Sequence, residues 1–308
     1  MAAFTFIDLF AGIGGFHQAA KALGGKCVFA SEIDPEARRA YAANYQMETY
    51  GDITAIDAAL IPDHDALFAG FPCQPFSVIG RRLGFQDSRG PLFFEIARVL
   101  KAKKPSFFIL ENVKLLSRHN NGETLKIILS TLESLGYKTR WSVLNALKFG
   151  LPQKRERTII VGFLDPTVDF KFPEGDQKVS RLEDILEPEG TIPAKYFASQ
   201  RILDKRQTDH VSQYQPSVWH ENKSGHISSY PYSCALRAGA SYNYLLVNGQ
   251  RRFTPRELLR LQGFPDSFKI VCADFHTRKQ AGNAVPVNVI KATLKEVLAA
   301  LKPRKASK

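Results

Sequence analysis

Short apolar runs alternate with helix-like stretches through the first half of the chain, and several runs end on a glycine, a proline or an acid. Phe4–Phe10 predicts a buried strand that finishes at Asp8-Leu9-Phe10 and gives way to the turn Ala11-Gly12-Ile13-Gly14-Gly15. The spacing from Phe16 to Leu23 is helical, and Gly24-Gly25 stops it. Lys26–Ser31 predicts a second strand, after which Asp34 caps a helix with Pro35 at its first position, continuing through Tyr41. Further strands are predicted at Ala66–Gly70, Ser106–Glu111, Thr139–Leu144 and Thr158–Leu164, with a helix near Glu123–Leu135. This alternation predicts an α/β fold, a doubly wound and mostly parallel sheet with helices on both faces. In such sheets ligands bind at the carboxyl ends of the strands. Four unusual motifs fall at those ends.

After about residue 165 the alternation fades, and up to about residue 250 the chain is rich in Ser, Tyr, Asn, Gly and Pro. This predicts a smaller, loop-rich second domain over 166–279, beside a first domain of 1–165. A helix at Pro255–Leu261 follows Arg251-Arg252. An amphipathic helix from about Pro286 to Leu301 is expected to return to the first domain, so that 280–308 completes it. The tail KPRKASK is expected to be disordered, and no internal repeat is visible.

Charge sharpens this division. The net charge is +12, and its distribution is uneven: residues 165–190 carry eight acidic and three basic side chains, residues 195–260 ten basic and four acidic. A polarised surface of this kind is expected where one face meets phosphates. No apolar run approaches the ~18 residues of a membrane span, and the N-terminus lacks the features of a signal peptide. Cys27, Cys73, Cys234 and Cys272 form no Cys-x-x-Cys pair, so neither a zinc site nor a disulfide framework is expected. A reducing, cytoplasmic location follows.

The strand-end motifs carry the chemistry. Glycines between a strand and a helix let the backbone approach a ligand closely, but their spacing at 12–15 is not G-x-G-x-x-G, which disfavours a nicotinamide cofactor. Glu32 ends the second strand, where a carboxylate can accept both ribose hydroxyls. Asp52, in Gly51-Asp52-Ile53, could accept from an adenine amino group. Each alone reads as a structural turn or a solvated acid; together and in order they favour an adenosyl ligand. Gly70-Phe71-Pro72-Cys73-Gln74-Pro75-Phe76-Ser77 is different in kind. Flanking prolines remove the ladder donors a core strand needs, so Cys73 reads as a nucleophile in a cleft, active as its thiolate. Glu111 ends the next strand and could protonate a ring nitrogen if burial raises its pKa. In Gln153-Lys154-Arg155-Glu156-Arg157, extended-chain alternation places both arginines on one face. They could hold a pyrimidine carbonyl, a phosphate or Glu111.

In this order, the motifs resemble the DNA cytosine-5 methyltransferase family, of the bacterial restriction-modification type. The glycine turn at 8–16, Pro72-Cys73, Glu111-Asn112-Val113, Gln153-x-Arg155-x-Arg157, Arg260-Leu261-Gln262-Gly263-Phe264-Pro265-Asp266 and Gly282-Asn283-Ala284-Val285 all match its recurrent blocks. The resemblance spans nearly the whole chain apart from the stretch near 165–235. It implies the S-adenosylmethionine-dependent methyltransferase fold, with S-adenosylmethionine held around Phe10, Gly12, Gly14, Phe16, Glu32, Ile33, Asp52, Ile53, Pro72, Leu92, Asn283 and Val285. Ile33 stands where the family often carries an aromatic residue over the adenine. The resemblance also implies catalysis by Cys73, Glu111, Arg155 and Arg157, and no metal.

Double-stranded DNA is the implied partner. The target cytosine must leave the duplex to meet Cys73, and 76–90 is implied as a loop closing over it. Within that stretch Ser77, Arg81, Arg82 and Arg89 fit DNA contacts. Ile79 and the stretch 223–226 are candidates to fill the vacated space. Sequence readout is expected from Asn222, Lys223, His226 and Arg237, and phosphate contact from Arg251 and Arg252. Ser233–Gly249 resembles the family's recognition region but shows Ala235-Leu236 where Thr-Leu is usual. A monomer is expected, with any cognate restriction endonuclease acting separately. The tRNA-modifying relatives carry a Cys-Phe-Thr signature that is absent here, and intact Cys73, Glu111, Arg155 and Arg157 argue against a silent DNA-binding relative.

Overall fold

The structure is a computed structural model that describes residues 3–72, 92–175 and 180–301. The chain divides into two compact units, the first Met1–Leu144 with Glu156–Glu174 and Val289–Lys308, the second Asn145–Arg155 with Gly175–Asn288.

In chain order the elements of the first half are β1 (Phe4–Leu9), α1 (Gly15–Lys21), β2 (Gly25–Ser31), α2 (Pro35–Tyr45), β3 (Ala66–Gly70), α3 (Phe93–Lys103), β4 (Phe107–Val113), α4 (Glu123–Ser134), β5 (Lys138–Asn145), β6 (Gln153–Lys154) and β7 (Glu156–Phe163). Six of these strands form the first unit's sheet, in the order β2-β1-β3-β4-β7-β5. β1 pairs in parallel with β2 and β3, and β3 with β4; β7 runs antiparallel to β4. The mostly parallel sheet expected from the alternation is the one observed.

Period-two alternation along the strands gives the sheet two apolar faces. Ile7, Leu67, Phe108 and Leu110 pack with Ile96, Leu100, Ile128 and Leu132 of α3 and α4 in one core. On the opposite face, Phe6 meets His17 edge-on and Phe68 stacks on Phe16 of α1 at 5.5 Å. Asp34 starts α2 as expected, its Oδ1 accepting from the N–H groups of Glu36 and Ala37. No element is expected from the sequence pattern between Gly70 and Ser106. The structure has α3 there, burying Phe93, Ile96, Ala97 and Leu100 at helical spacing.

His17 is buried under this face, its Nδ1 2.7 Å from the Tyr41 hydroxyl. Burial, helped by Lys21, pushes its imidazole down from 6.5 to about 3. Unfolding therefore takes up a proton at His17 between those values, and this contribution to stability is lost as pH falls from 6.5 towards 3. The slope is at most about 1.4 kcal/mol per pH unit. Burial raises the nearby Asp8 carboxyl, which gives the opposite slope, so only the comparison with a variant isolates His17. His17→Phe is expected to lose the part of the acid-side slope that denaturant titrations at pH 4–7 assign to one group. An identical slope in both proteins contradicts the assignment.

The second unit adds α5 (Gln200–Asp209), β8 (Val218–Glu221), β9 (Ile227–Tyr230), β10 (Ser233–Cys234), β11 (Leu245–Val247), α6 (Pro255–Leu261) and α7 (Asp274–Asn283). β11-β8-β9 form an antiparallel sheet, and β10 pairs in parallel with β6. Its core includes Val218, Leu236, Leu245, Phe253 and Leu261. Residues 145–155 belong here because buried Gln153 donates to the Leu261 carbonyl and accepts from the Leu236 N–H. α8 (Val287–Ala300) lies in the first unit from Val289 onward, burying Val289, Ile290, Leu294 and Val297.

Candidate active site

Four strand ends of the first unit, those of β1, β2, β3 and β4, carry candidate side chains. At the end of β1 the chain turns through Phe10 and Gly12, both at φ +55°. The Gly12 N–H donates to Glu32 Oε2 at 2.7 Å, and the Asp34 N–H to Oε1 at 2.8 Å. Both oxygens are thereby oriented, and each keeps acceptor capacity, since a carboxylate offers about four lone-pair positions. Ile33 beside it is 70% exposed. The Glu32 N–H donates to the Tyr50 carbonyl at 2.9 Å, which draws the Tyr50–Asp52 segment against the end of β2. Tyr50 is exposed and stacks on Phe29 at 4.6 Å. Asp52 is exposed, one oxygen accepting from the Thr54 N–H.

The side chains of Phe16 and Ile53 are packed in the core, against Phe68 and in the α3-side cluster respectively. The apolar surface open at this corner is that of Ile33 and Tyr50. Tyr50 was absent from the sequence candidates, although an aromatic two residues ahead of Asp52 was a usable signal.

At the end of β3, Phe71 is buried and its carbonyl accepts from Asn112 Nδ2 at 2.9 Å, which ties this strand end to β4. Pro72 is exposed, and Leu92 is half-buried at the start of α3. Cys73, Ser77, Ile79, Arg81, Arg82 and Arg89 lie outside the described residues, as does the tail from Lys302.

The antiparallel register of β4 and β7 sets Val113 opposite Arg157 and Glu111 opposite Ile159. Glu111 and Arg157 are therefore diagonal neighbours on one face, within reach of long side chains. Arg157 Nε lies 2.8 Å from Glu111 Oε1, with both side chains about one-tenth exposed (12% and 10%). Arg157 Nη1 donates to the carbonyl of Glu156. In the second unit Arg155 is buried, its guanidinium donating to the carbonyls of Leu236, Gly282 and Ala284 at 2.8–3.0 Å. The extended run breaks at Arg155, whose N–H turns back to the Gln153 carbonyl. Asn283 is exposed at the end of α7 and Val285 is buried.

The profile of the C-5 cytosine-specific DNA methylase family matches residues 4–299. The chain belongs to that family. It is thus a DNA cytosine-5 methyltransferase. It is 52% identical to the type II methyltransferase M.NgoBI of Neisseria gonorrhoeae over 98% of this chain and 95% of that one. It is 53% identical to M.HaeII of Haemophilus aegyptius (95% and 92%) and 36% identical to M.HhaI of Haemophilus parahaemolyticus (92% and 91%). Among solved structures, S. pombe Dnmt2 methyltransferase superposes with a TM-score of 0.74 over 96% of this chain and 98% of that one, at 22% identity. That likeness concerns the fold alone.

The methyltransferase's DNA-contact candidates separate in the second unit. Lys223, His226 and Arg237 are exposed, and Arg237 lies over the Tyr244 ring at 4.8 Å. Arg252 is half-buried over Tyr242 and donates to the Lys195 carbonyl. Arg251 is a correction. It is buried and bidentate to Glu257 at 2.8 and 2.9 Å, so its guanidinium is committed inside the unit rather than offered to a phosphate. Arg237, Arg252, Arg278 and Lys195 line a cavity of about 260 Å³ in which Asp274 is the sole acid, already paired with Lys195. Among the described residues no group of three or more His, Cys, Asp or Glu could hold a metal ion.

Proposed function

We propose that this methyltransferase moves a methyl group from S-adenosylmethionine to C5 of a cytosine flipped out of a specific double-stranded DNA sequence, through a covalent adduct at Cys73. The ion pair of Glu111 with Arg157, at the ends of adjacent strands and next to the strand end that leads into Cys73, carries this reading. A carboxyl group beside that strand end could carry a proton to a pyrimidine attacked by that cysteine.

The β1–β2 corner suits an adenosine. Glu32 has both oxygens oriented with lone pairs to spare for ribose hydroxyls, Ile33 and Tyr50 offer apolar faces to a purine, and Asp52 is an exposed acceptor. Phe10, Gly12 and Gly14 shape the turn; Phe16, Ile53, Pro72, Leu92, Asn283 and Val285 stay candidates by resemblance. When bound, S-adenosylmethionine would supply an electrophilic methyl group and leave as S-adenosylhomocysteine. The remaining work belongs to the chain. The Cys73 thiolate adds to C6 as Glu111 protonates N3, and C5, now enamine-like, takes up the methyl group. A base then removes the C5 proton, the C6–S bond breaks with its electron pair leaving on sulfur, N3 gives its proton back to the Glu111 carboxylate, and the aromatic ring returns. Arg157 holds Glu111 through Nε and offers Nη2 to the cytosine O2. Arg155 braces the carbonyls of Gly282 and Ala284 on either side of Asn283.

The relatives' type II designation supports a role as the protective half of a restriction-modification system, with the nuclease a separate protein. We read the enzyme as a cytoplasmic monomer. Bisulfite sequencing of a plasmid propagated with the expressed protein tests the reading. Protection of one cytosine within one fixed sequence is expected, and complete conversion everywhere sinks it. Arg157→Ala is expected to lower kcat by about a hundredfold, the low end for a group serving proton transfer. Its affinity for the donor should stay within about threefold, as isothermal titration can measure. The reverse pattern removes Arg157 from the reacting centre.

A further inference from the structure

The turn that follows β1 rests on an aromatic floor contributed by α1 and α2. Tyr45, in the last turn of α2, places its hydroxyl 2.8 Å from the Gly14 carbonyl, with the Ile13 carbonyl and Gln18 Oε1 each at 3.4 Å. Its ring lies flush against Gly14. A Cβ built there would come within 2.3 Å of Tyr45 Cε2, and Gly14 is at φ +82°, where side chains are disfavoured in any case. The ring is itself held: His17 stacks on it at 3.9 Å and Tyr41 meets it at 4.7 Å, while His17 Nδ1 bonds the Tyr41 hydroxyl. Tyr45 thus belongs to a packed set rather than to a mobile surface.

The Gly14 carbonyl accepts twice, from the Gln18 N–H as α1 begins and from Tyr45. Two acceptances on one carbonyl fix the plane of the Gly14–Gly15 peptide. Through the chain they also constrain the neighbouring Gly12, whose N–H orients Glu32. Burial keeps the Tyr45 phenol well above the usual tyrosine range, so it remains an O–H donor throughout the physiological pH range.

We propose that Tyr45 is a positioning residue for the methyl donor: its hydroxyl and ring set the glycine turn that, on the reading above, holds S-adenosylmethionine. The residue touches no ligand itself. Its effect passes through the Gly14 carbonyl to the backbone amides and to Glu32.

Tyr45→Phe removes the hydroxyl and keeps the ring. Binding of S-adenosylhomocysteine, measured by isothermal titration, is expected to weaken about tenfold, the scale of one lost hydrogen bond. kcat at saturating donor and KM for DNA should change less than about twofold. Hydrogen exchange of the ligand-free protein should quicken at the amides of residues 13–16. Leu132→Ala, a core change on α4 with no contact to the turn, controls for lost stability and should leave the dissociation constant unchanged. Glu32→Ala tests the underlying reading and should weaken binding at least as much as Tyr45→Phe. If Glu32→Ala weakens binding while Tyr45→Phe matches the parent in affinity and in exchange, the positioning role is overturned. A similar loss in Leu132→Ala overturns it too, because stability alone then accounts for the effect. If Glu32→Ala binds as well as the parent, the assignment of this corner to the donor fails instead.

Discussion

Cys73→Ser is expected to lower methyl transfer by at least about a thousandfold, with binding to target DNA kept within a few-fold of the parent. The size follows from the nucleophile. A cysteine with a pKa near 8.5 is a few per cent thiolate at neutral pH and strongly nucleophilic, while a serine hydroxyl needs a dedicated base. Losing the nucleophile from a covalent mechanism removes the whole intermediate, and such losses reach about a millionfold elsewhere. The strand end just ahead does not depend on the sulfur. Phe71 is buried and its carbonyl is held by Asn112, and β3 pairs with β1 and β4 through residues 66–70. The variant should therefore fold. Single-turnover transfer of labelled methyl to duplex DNA, with a gel-shift titration alongside, measures both quantities. A duplex carrying 5-fluorocytosine at the target should trap the parent covalently in the presence of donor and fail to trap the variant. Retention of a tenth of the parent's rate, or a trapped adduct in the variant, would falsify the assignment.

What the sequence reveals about this protein depends on how local the determinants are. β1, β3 and α6 are legible almost to the residue, because apolar runs bounded by Gly, Pro and a capping Thr contain their own start and stop signals. α3 is equally periodic, burying Phe93, Ile96, Ala97, Val99 and Leu100, but no side-chain cap announces its start. The second unit is different. α5, QRILDKRQTD, buries only Arg206, so it has no apolar stripe to announce it, and β8 and β9 are four residues each. Those elements exist because of long-range contacts that a linear pattern does not encode. The same distinction sorts the site. Glu32 and Asp52 sit at the corners their strands predict. The diagonal meeting of Glu111 with Arg157 requires β7 to enter antiparallel beside β4, which alternation alone does not specify. Arg251 misleads because a sequence displays a charge without its partners: its guanidinium is turned inward onto a buried carboxylate.

Arg251 makes that lesson measurable. Glu257 is fully buried and accepts from Arg251 Nη1 and Nη2, from the Thr254 N–H at the start of α6 and from the Glu187 N–H. Arg251 is in turn buried, with a side chain only 5% exposed. Removing one member of such a pair strands the other charge in a low-dielectric setting, which costs about 3–5 kcal/mol, whereas surface pairs contribute little. Glu257→Ala is expected to be the more damaging change, since it orphans Arg251 together with two backbone donors. Arg251→Met keeps the length of the stem and should still lower the melting temperature by on the order of 10 °C. DNA binding separates this role from a phosphate contact. Each neutralised phosphate contributes about 0.9 to the slope of log affinity against log salt. Below its melting temperature Arg251→Met should leave that slope where it is, while Arg237→Ala should change affinity without lowering the melting temperature, because Arg237 is exposed over Tyr244. A drop of about one in the salt slope for Arg251→Met, with an unchanged melting temperature, would return Arg251 to the DNA-facing surface and refute the buried pair as its function.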